Sequence, residues 1–310
     1  MLNFVYCFDS NYNLQGLTSI NSIAEKIDEK ISIHIIHDNP NSFNKSLLEK
    51  YKNVDLNIYQ INVDKLDFPN LKGSHVSKAT YYRLFISKFL PKDLDYIIYL
   101  DADIVCLNDP LKILNEMILE LKRSNYFLYA KTEITKDKDK ETFNRLSLNG
   151  EKYFNAGVLI LDYQYWLSKK IEESCLRILN ENYDIIKFWD QDILNMYFDG
   201  AYLDLNEFFN FDFGIFNFDV DEFWRFIYKY VYFAHFNGKG KPWHVNNILI
   251  QSSAVYQNEY RKLKLNYYHI TFNKSLKSIL SFLLNLFSFK FLKVEKPGNY
   301  LKTSIKKLFI

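Results

Sequence analysis

Two aspartates one residue apart, Asp101 and Asp103, follow the run Tyr96-Ile97-Ile98-Tyr99-Leu100. The run is β-branched and aromatic throughout, as in a strand covered on both faces, so the two carboxylates fall at its carboxyl end. In open α/β sheets that edge borders the crevice where ligands bind, and paired acids at its mouth suit a divalent cation. An aspartate after a strand is also an ordinary turn former or helix cap, and the pair alone does not choose between these uses. Three other stretches carry polar groups in telling places. Asn155-Ala156-Gly157 leads into the apolar run Val158 to Leu161, and its small residues leave room for something against the backbone. Asp190-Gln191-Asp192 puts acids at the start of a helix, where the amides are unpaired. His235 ends an apolar strand ahead of the loop Asn237-Gly238-Lys239-Gly240-Lys241-Pro242-Trp243-His244.

The elements that position these groups follow from hydrophobic period and turn residues. Strands are expected over Asn3 to Phe8, Ile31 to Ile36, Asp55 to Ile61, Tyr96 to Leu100, Tyr126 to Ala130, Phe154 to Leu161 and Tyr230 to Phe236. Helices are expected over Leu14 to Glu29, Phe43 to Tyr51, Ala79 to Phe89, Leu111 to Leu121 (behind Asp109-Pro110) and Trp166 to Leu179. Strands alternating with helices predict parallel pairing in a doubly wound sheet. Lys131 to Asn149, charged and poor in apolar residues, reads as a mobile loop or surface helix, and the aromatic-rich segment from Phe208 to Tyr232 resists assignment.

At 310 residues and 48% hydrophobic content the chain can form one large α/β domain with an appendage. The formal charge of +2 gives no global argument for nucleic acid. It is unevenly spread: from Arg261 to Ile310 there are eleven Lys or Arg and one acid, Glu295. Within that tail Ser278 to Phe289 is uncharged and rich in Leu and Phe, bordered by Lys274, Lys277, Lys290, Lys293 and Lys296, with Lys302, Lys306 and Lys307 beyond. Short apolar helices with basic borders lie in the plane of an anionic membrane surface; the alternative is a helix docked on the body with solvated lysines. Cys7, Cys106 and Cys175 are widely spaced within apolar runs, which reads as structural thiols in a reducing compartment. No secretory signal is visible, and no uncharged apolar run reaches the roughly 18 residues of a spanning helix.

Taken together and in order, the Asp-x-Asp pair, the Asn-Ala-Gly approach, Asp190-Gln191-Asp192 and the His235 to Trp243 loop resemble the family 8 glycosyltransferases. These are retaining enzymes that include lipopolysaccharide galactosyltransferases and glucosyltransferases and the glycogenin-like proteins. The resemblance runs from about Asn3 to His244. It implies a Rossmann-like nucleotide-diphospho-sugar fold of the GT-A type, a manganese ion (magnesium as the alternative) and a UDP-hexose donor. It also implies Asp101, Asp103 and His235 as metal ligands, a mixed oxygen and nitrogen set that manganese accepts. Lys241 then matches a lysine on the leaving diphosphate, Gly238 permits the backbone to approach phosphate, and Ala102 counts among the donor-binding residues. Asp9, Asn11 and the backbone of Cys7 match contacts to uracil and ribose, and Tyr12 stacks on the base, although Asp9-Ser10-Asn11 also suits a plain Asx turn. Phe8 is bulkier than the small residue common in the family. Arg83 matches the arginine on donor sugar and phosphate, and Asn155, Ala156, Asp190 and Gln191 match the sugar-reading set. Where relatives commonly carry an aspartate, this chain offers Glu133.

The expected organisation is a catalytic domain over residues 1–262 and a basic, apolar, helical tail over 263–310. The expected reaction is transfer of galactose or glucose from a UDP-sugar to a glycan hydroxyl with retention. Asp190, Gln191 and Lys241 are the catalytic candidates, either in a same-face dissociative displacement or, for Asp190, as a covalent nucleophile. The tail makes a lipid-linked acceptor in lipooligosaccharide or lipopolysaccharide synthesis a natural expectation, with the chain cytoplasmic and peripheral on the inner face of the plasma membrane. Transfer to protein-linked glycans, or a catalytically silent UDP-sugar-binding subunit, are the competing expectations.

Overall fold

The computed structural model of the protein describes residues 1–62, 78–215, 220–272 and 275–309, so Lys274 and Ile310 of the basic tail lie outside it. In chain order the elements are β1 (Leu2–Phe8), α1 (Asn13–Lys26), β2 (Ile31–His37), β3 (Val54–Gln60), α2 (Ile86–Phe89), β4 (Tyr96–Leu100), β5 (Ile104–Cys106), α3 (Leu111–Arg123), β6 (Leu128–Thr135), α4 (Lys140–Arg145), β7 (Lys152–Asp162), α5 (Tyr163–Ser168), α6 (Ile171–Glu181), α7 (Trp189–Phe198), β8 (Leu203–Asp204), β9 (Phe211–Asp212), α8 (Val220–Tyr230), β10 (Phe233–His235), α9 (Gln251–Arg261), α10 (Leu276–Phe287) and α11 (Pro297–Leu308).

Among the described residues, seven strands form one sheet in the order β3-β2-β1-β4-β7-β6-β8, and β5, β10 and β9 form a small second sheet. The first half is the parallel, doubly wound arrangement expected: β1 pairs in parallel with β2 and β4, and β2 with β3. The second half departs from it, because β7 runs antiparallel to both β4 and β6. The link from β6 to β7 contains only the short α4, which turns the chain back instead of carrying it over the sheet. One face of the large sheet is covered by α1 and the aromatic residues of β9, β10 and α9, the other by Arg83's segment, α5, α6 and α7. Strands covered on both faces account for the unbroken burial of β2 and of β4 from Ile97 to Leu100.

Several local expectations change. Phe43 to Tyr51 is not an α-helix but holds a single 3-10 turn, Lys45–Leu48, since only Leu48 of that turn is buried and little apolar face exists to anchor more. Lys78–Phe85 is a 3-10 helix that tightens before α2, and its side chains from Tyr81 to Phe85 are all buried. The helix expected from Trp166 to Leu179 is broken in two at Lys170, whose φ is 51°. Lys131 to Asn149 is neither loop nor surface helix throughout. Strand β6 continues to Thr135, and Phe143, Leu146 and Leu148 turn inward against Tyr153 to form a small core.

That small core is locked by charge. Arg145 donates to Asp192 Oδ2 at 2.8 Å and to the Ile185 carbonyl at 2.6 Å, and Asp192 is fully buried. Asp192 also accepts from Tyr153 OH at 2.8 Å and from the amides of Lys187 and Phe188 at 2.7 and 2.9 Å. Removing one partner of a buried pair leaves an uncompensated charge, so Arg145→Ala should lower stability by about 3–5 kcal/mol in denaturant unfolding. Adding Asp192→Asn to that variant should recover part of the loss.

Candidate active site

The two sheets meet at the aspartates. Where β4 ends, the Asp101 amide still bonds the Gly157 carbonyl at 2.9 Å, and the chain then turns into β5. Strand β5 pairs antiparallel with β10 so that Ile104 faces His235, and the Phe236 amide bonds the Asp103 carbonyl at 3.1 Å. This pairing brings His235, more than a hundred residues away in sequence, to the Asp-x-Asp turn. Its Nε2 lies 3.3 Å from Asp103 Oδ1 and 3.8 Å from Asp101 Oδ2, and one ligand atom from each of the three residues falls within 4.8 Å of the others. The donor set, two carboxylate oxygens and one imidazole nitrogen, fits a divalent cation that takes mixed oxygen and nitrogen ligands.

Strand β7 supplies the opposite wall through an irregularity. Ala130 of β6 pairs with Leu159 but the next residue, Lys131, pairs with Asn155, so residues 156–158 have no β6 partner. A bulge of this kind frees backbone groups and bends the strand. The freed Ala156 amide donates to Gln191 Oε1 at 3.0 Å, and its carbonyl accepts from Arg83 Nη1. Arg83 also donates to Asp101 Oδ1 at 2.7 Å, lies 2.7 Å from Asp190 Oδ2 through Nε, and rests over the Tyr99 ring at 4.2 Å. Gln191 Nε2 donates to Glu133 Oε2 at 3.0 Å, and Asn155 Nδ2 approaches the same oxygen at 3.4 Å. The space foreseen beside Ala156 and Gly157 is filled by His235: a Cβ on Gly157 would stand 2.3 Å from the ring's Cε1.

Arg83, Asp101, Asp103, Glu133, Asn155, Ala156, Asp190, Gln191, His235 and Lys241 therefore share one continuous network. Lys241 reaches it from the loop, bonding Asp103 Oδ2 and, at 2.8 Å, the Phe236 carbonyl. Ala102 is buried between the two aspartates. Gly238 has φ 66° with open space around its would-be Cβ, so the turn requires glycine for its backbone angle alone. At the end of β1 the Asx turn forms, with Asp9 Oδ1 accepting from the Asn11 amide at 2.9 Å. Tyr12 is edge-on to Trp243 at 5.9 Å, and Asn11 is exposed. Asp38 and His37 of the next strand end brace this corner: Asp38 accepts from Ser10, and His37 bonds Asn13 at 2.8 Å. Cys7 is buried under it.

Charge is tightly balanced here. Burial would raise the Asp103 carboxyl, but Lys241 and then His235 outweigh it and hold the group well below the usual carboxylate range. Burial pushes Asp190 up to about 7, with Arg83 opposing and Asp101 adding to the rise. Burial also raises Tyr12, helped by Asp103, Asp9 and Asp101, and it pushes the thiols of Cys7, Cys106 and Cys175 up, so none is a reactive thiolate. Tyr99, Tyr153 and Asn210 join the network without having stood out in the sequence. For Asn210 one signal existed, the alternation Phe209-Asn210-Phe211-Asp212-Phe213, which sets polar groups on one face of an extended segment.

The model of glycosyl transferase family 8 matches residues 3–247. Among relatives, the lipopolysaccharide 1,2-glucosyltransferase of Escherichia coli (strain K12) is 32% identical over 253 residues, covering 78% of this chain and 73% of its own. The lipopolysaccharide 1,3-galactosyltransferase of Salmonella typhimurium is 25% identical over 256 residues, with the same coverage of 78% and 73%. Among solved structures, the galactosyltransferase LgtC in complex with donor and acceptor sugar analogues superposes with a TM-score of 0.68 at 22% identity. That match covers 84% of this chain and 95% of LgtC, and shows a shared fold.

Two outcomes are expected from this geometry. Gly157→Ala should push His235 off its place, read as a shift of its ring resonances, with about 1–3 kcal/mol of overpacking cost in a melt. For Asp190 the folded protein holds a proton that the unfolded chain releases above its ordinary value. Its contribution to stability is therefore complete below about pH 4 and lost as pH rises through about 7. The stability of the native protein relative to Asp190→Asn should fall across that window in denaturant unfolding; a difference independent of pH would contradict the raised value.

Proposed function

The chain belongs to glycosyl transferase family 8, and from that premise we propose that it transfers a hexose, galactose or glucose, from a UDP-sugar to a glycan hydroxyl with retention of anomeric configuration. The observation that carries this reading is the convergence of Asp101, Asp103 and His235 with Lys241 and Arg83 at one sheet edge. Asp101, Asp103 and His235 would hold a divalent cation, manganese by the character of the donor set, with magnesium as the alternative. That cation would supply positive charge to the departing diphosphate. Lys241 would leave Asp103 to pair with the same phosphate oxygens, since an ammonium on a flexible stem can exchange one anion for another. Arg83, pinned by Ala156, Asp101 and Asp190, offers a preorganised fork at the donor.

For the sugar, Glu133 and the Asn155 and Gln191 amides present a polar wall whose unmatched groups would be costly to leave unpaired. The Gln191 oxygen is turned to the Ala156 amide and Asp190 is buried against Arg83. Both arrangements favour a same-face displacement over attack by Asp190, with Gln191 and Asp190 holding the donor pocket in shape. Asp9, Asn11, Tyr12 and the backbone of Cys7 would form the nucleoside end.

For the acceptor, a lipid-linked glycan of the lipooligosaccharide or lipopolysaccharide kind is the reading that the tail supports. Among the described residues no helix is long and apolar enough to cross a membrane. Helix α10 buries Phe282 against Val245, Ile248, Tyr268, Ile270 and Tyr300, yet leaves Leu276, Leu284 and Phe287 exposed at 74, 68 and 79%. Leu276, Leu280, Leu284 and Phe287 recur at helical spacing on one side, with Lys277, Lys290, Lys293 and Lys296 around them, as an in-plane membrane helix requires. This would place the enzyme on the inner, anionic face of the plasma membrane, in the cytoplasm.

Calorimetric titration of UDP-galactose and UDP-glucose into metal-stripped protein, with and without manganese, tests the donor reading, with UDP release as the second readout. One donor should bind only with metal, and Asp103→Ala should abolish both signals; binding without turnover on any acceptor would favour a silent subunit. In the whole chain, Leu284→Ser with Phe287→Ser should weaken binding to anionic phosphatidylglycerol vesicles by at least about 100-fold, since each apolar side chain taken up by the bilayer interface contributes about 1.5–3 kcal/mol. Unchanged flotation would remove the membrane reading.

A further inference from the structure

The side chain of Asn210 is buried and bridges His235 and Asn155. The hydrogen bonds through it have one consistent assignment, because the series begins at a backbone donor. The Gly157 amide donates to Asn155 at 2.9 Å, so that end of the Asn155 carboxamide is its oxygen. Asn210 approaches the same oxygen at 3.0 Å and must present Nδ2 to it. Its other end, Oδ1, is then the atom 2.8 Å from His235 Nδ1. A carboxamide oxygen only accepts, so Nδ1 carries the hydrogen and Nε2 is the nitrogen left to offer a lone pair to a cation. Nε2 is the atom that faces Asp103 and Asp101.

We propose that Asn210 is the positioning residue that fixes His235 as the Nδ1–H tautomer and thereby sets the affinity of the Asp101, Asp103 and His235 site for a divalent cation. This rests on the reading of those three residues as a cation site. Asn210 is itself held in place. Its carbonyl accepts from Lys131 Nζ at 2.9 Å, its amide donates to the Glu207 carbonyl at 3.2 Å, and β9, which it precedes, pairs in parallel with β10. Gly157 closes the opposite side of the ring, since any Cβ there would overlap it. The imidazole is thus fixed in plane by one neighbour and in proton position by the other. Partners in this outer position fix ring orientation and tautomer in metal sites generally.

The test uses the full chain in two measurements. Long-range proton–nitrogen spectra of the histidine rings, with His235→Gln for assignment, should show a hydrogen on His235 Nδ1 in metal-free protein and, with magnesium bound, on Nδ1 alone. Asn210→Leu, close to isosteric but without the amide, should lose that single tautomer and bind manganese about 10- to 100-fold more weakly by calorimetry, with Asn210→Ala as the second variant where leucine perturbs the melt. A His235 ring without hydrogen on Nδ1 in the native protein, or a folded Asn210 variant whose manganese affinity stays within about twofold, overturns the proposal while leaving the cation site intact. Native protein that binds neither manganese nor magnesium overturns the cation site itself, and the proposal with it.

Discussion

A missing methyl group is the constraint on which the site depends. Gly157 lies where β7 leaves its partner β6, and a side chain there would occupy the place of the His235 ring. The same interruption releases the Ala156 amide and carbonyl, which turn to Gln191 and Arg83. In a regular ladder both groups would be consumed by the neighbouring strand and neither side chain would have a backbone anchor. One irregularity in β7 therefore positions the histidine, the glutamine and the arginine together.

Electrostatics then dictates how the side chains share what that backbone offers. Asp103 and Asp190 are buried, Asp101 is half-buried and Glu133 stands at the exposed rim, and bare carboxylates at the buried positions would be expensive. Arg83 answers two of them, Lys241 and His235 answer the third, and Glu133 is met by the amides of Gln191 and Asn155. Asp190 is the carboxylate whose proton affinity rises, because its share of Arg83 does not offset its burial. Asp103 falls the other way, since it has both Lys241 and His235. Two aspartates in one network are thereby given opposite tendencies by their neighbours, which is how a site can hold one acid as a steady anion and another close to neutral.

The part of this that was legible in the sequence is the part written in local pattern. Strands β1 to β4 are dense in Val, Ile and Tyr, and their ends carry the turn residues that led to Asp9, Asp101 and Asp103. His235 and Lys241 could be named but not placed, because what brings them to the aspartates is β5, a three-residue strand too short to leave a periodic signal. Likewise β9 has two residues, and without it Asn210 has no visible address. The antiparallel course of β7 escaped because a strand buried on both faces has the same composition in either direction. Asp192 reads in sequence like its neighbour Asp190, yet it serves the fold by pairing with Arg145, a distinction that only the third dimension makes.

The loop that carries Lys241 is held from behind by residues that follow the body of the sheet. The Pro242 carbonyl accepts from Gln257 of α9, the Trp243 carbonyl from the Thr271 amide at 2.7 Å, and the Val245 carbonyl from Tyr300 OH at 3.0 Å. Trp243 stacks on His269, whose Nδ1 bonds Tyr256 at 2.7 Å, and its edge-on contact with Tyr12 joins this group to the end of β1. Gly238 and Gly240 leave the first half of the same loop free of side-chain contacts at those positions, whereas its second half is tied on every carbonyl named. The Lys241 carbonyl itself accepts from the His244 amide at 3.0 Å and from Asn247 at 3.2 Å, so its ammonium can swing while its backbone stays fixed. The tail that exposes one face of α10 thus braces, through Tyr300 and Val245, the loop that places Lys241 on Asp103.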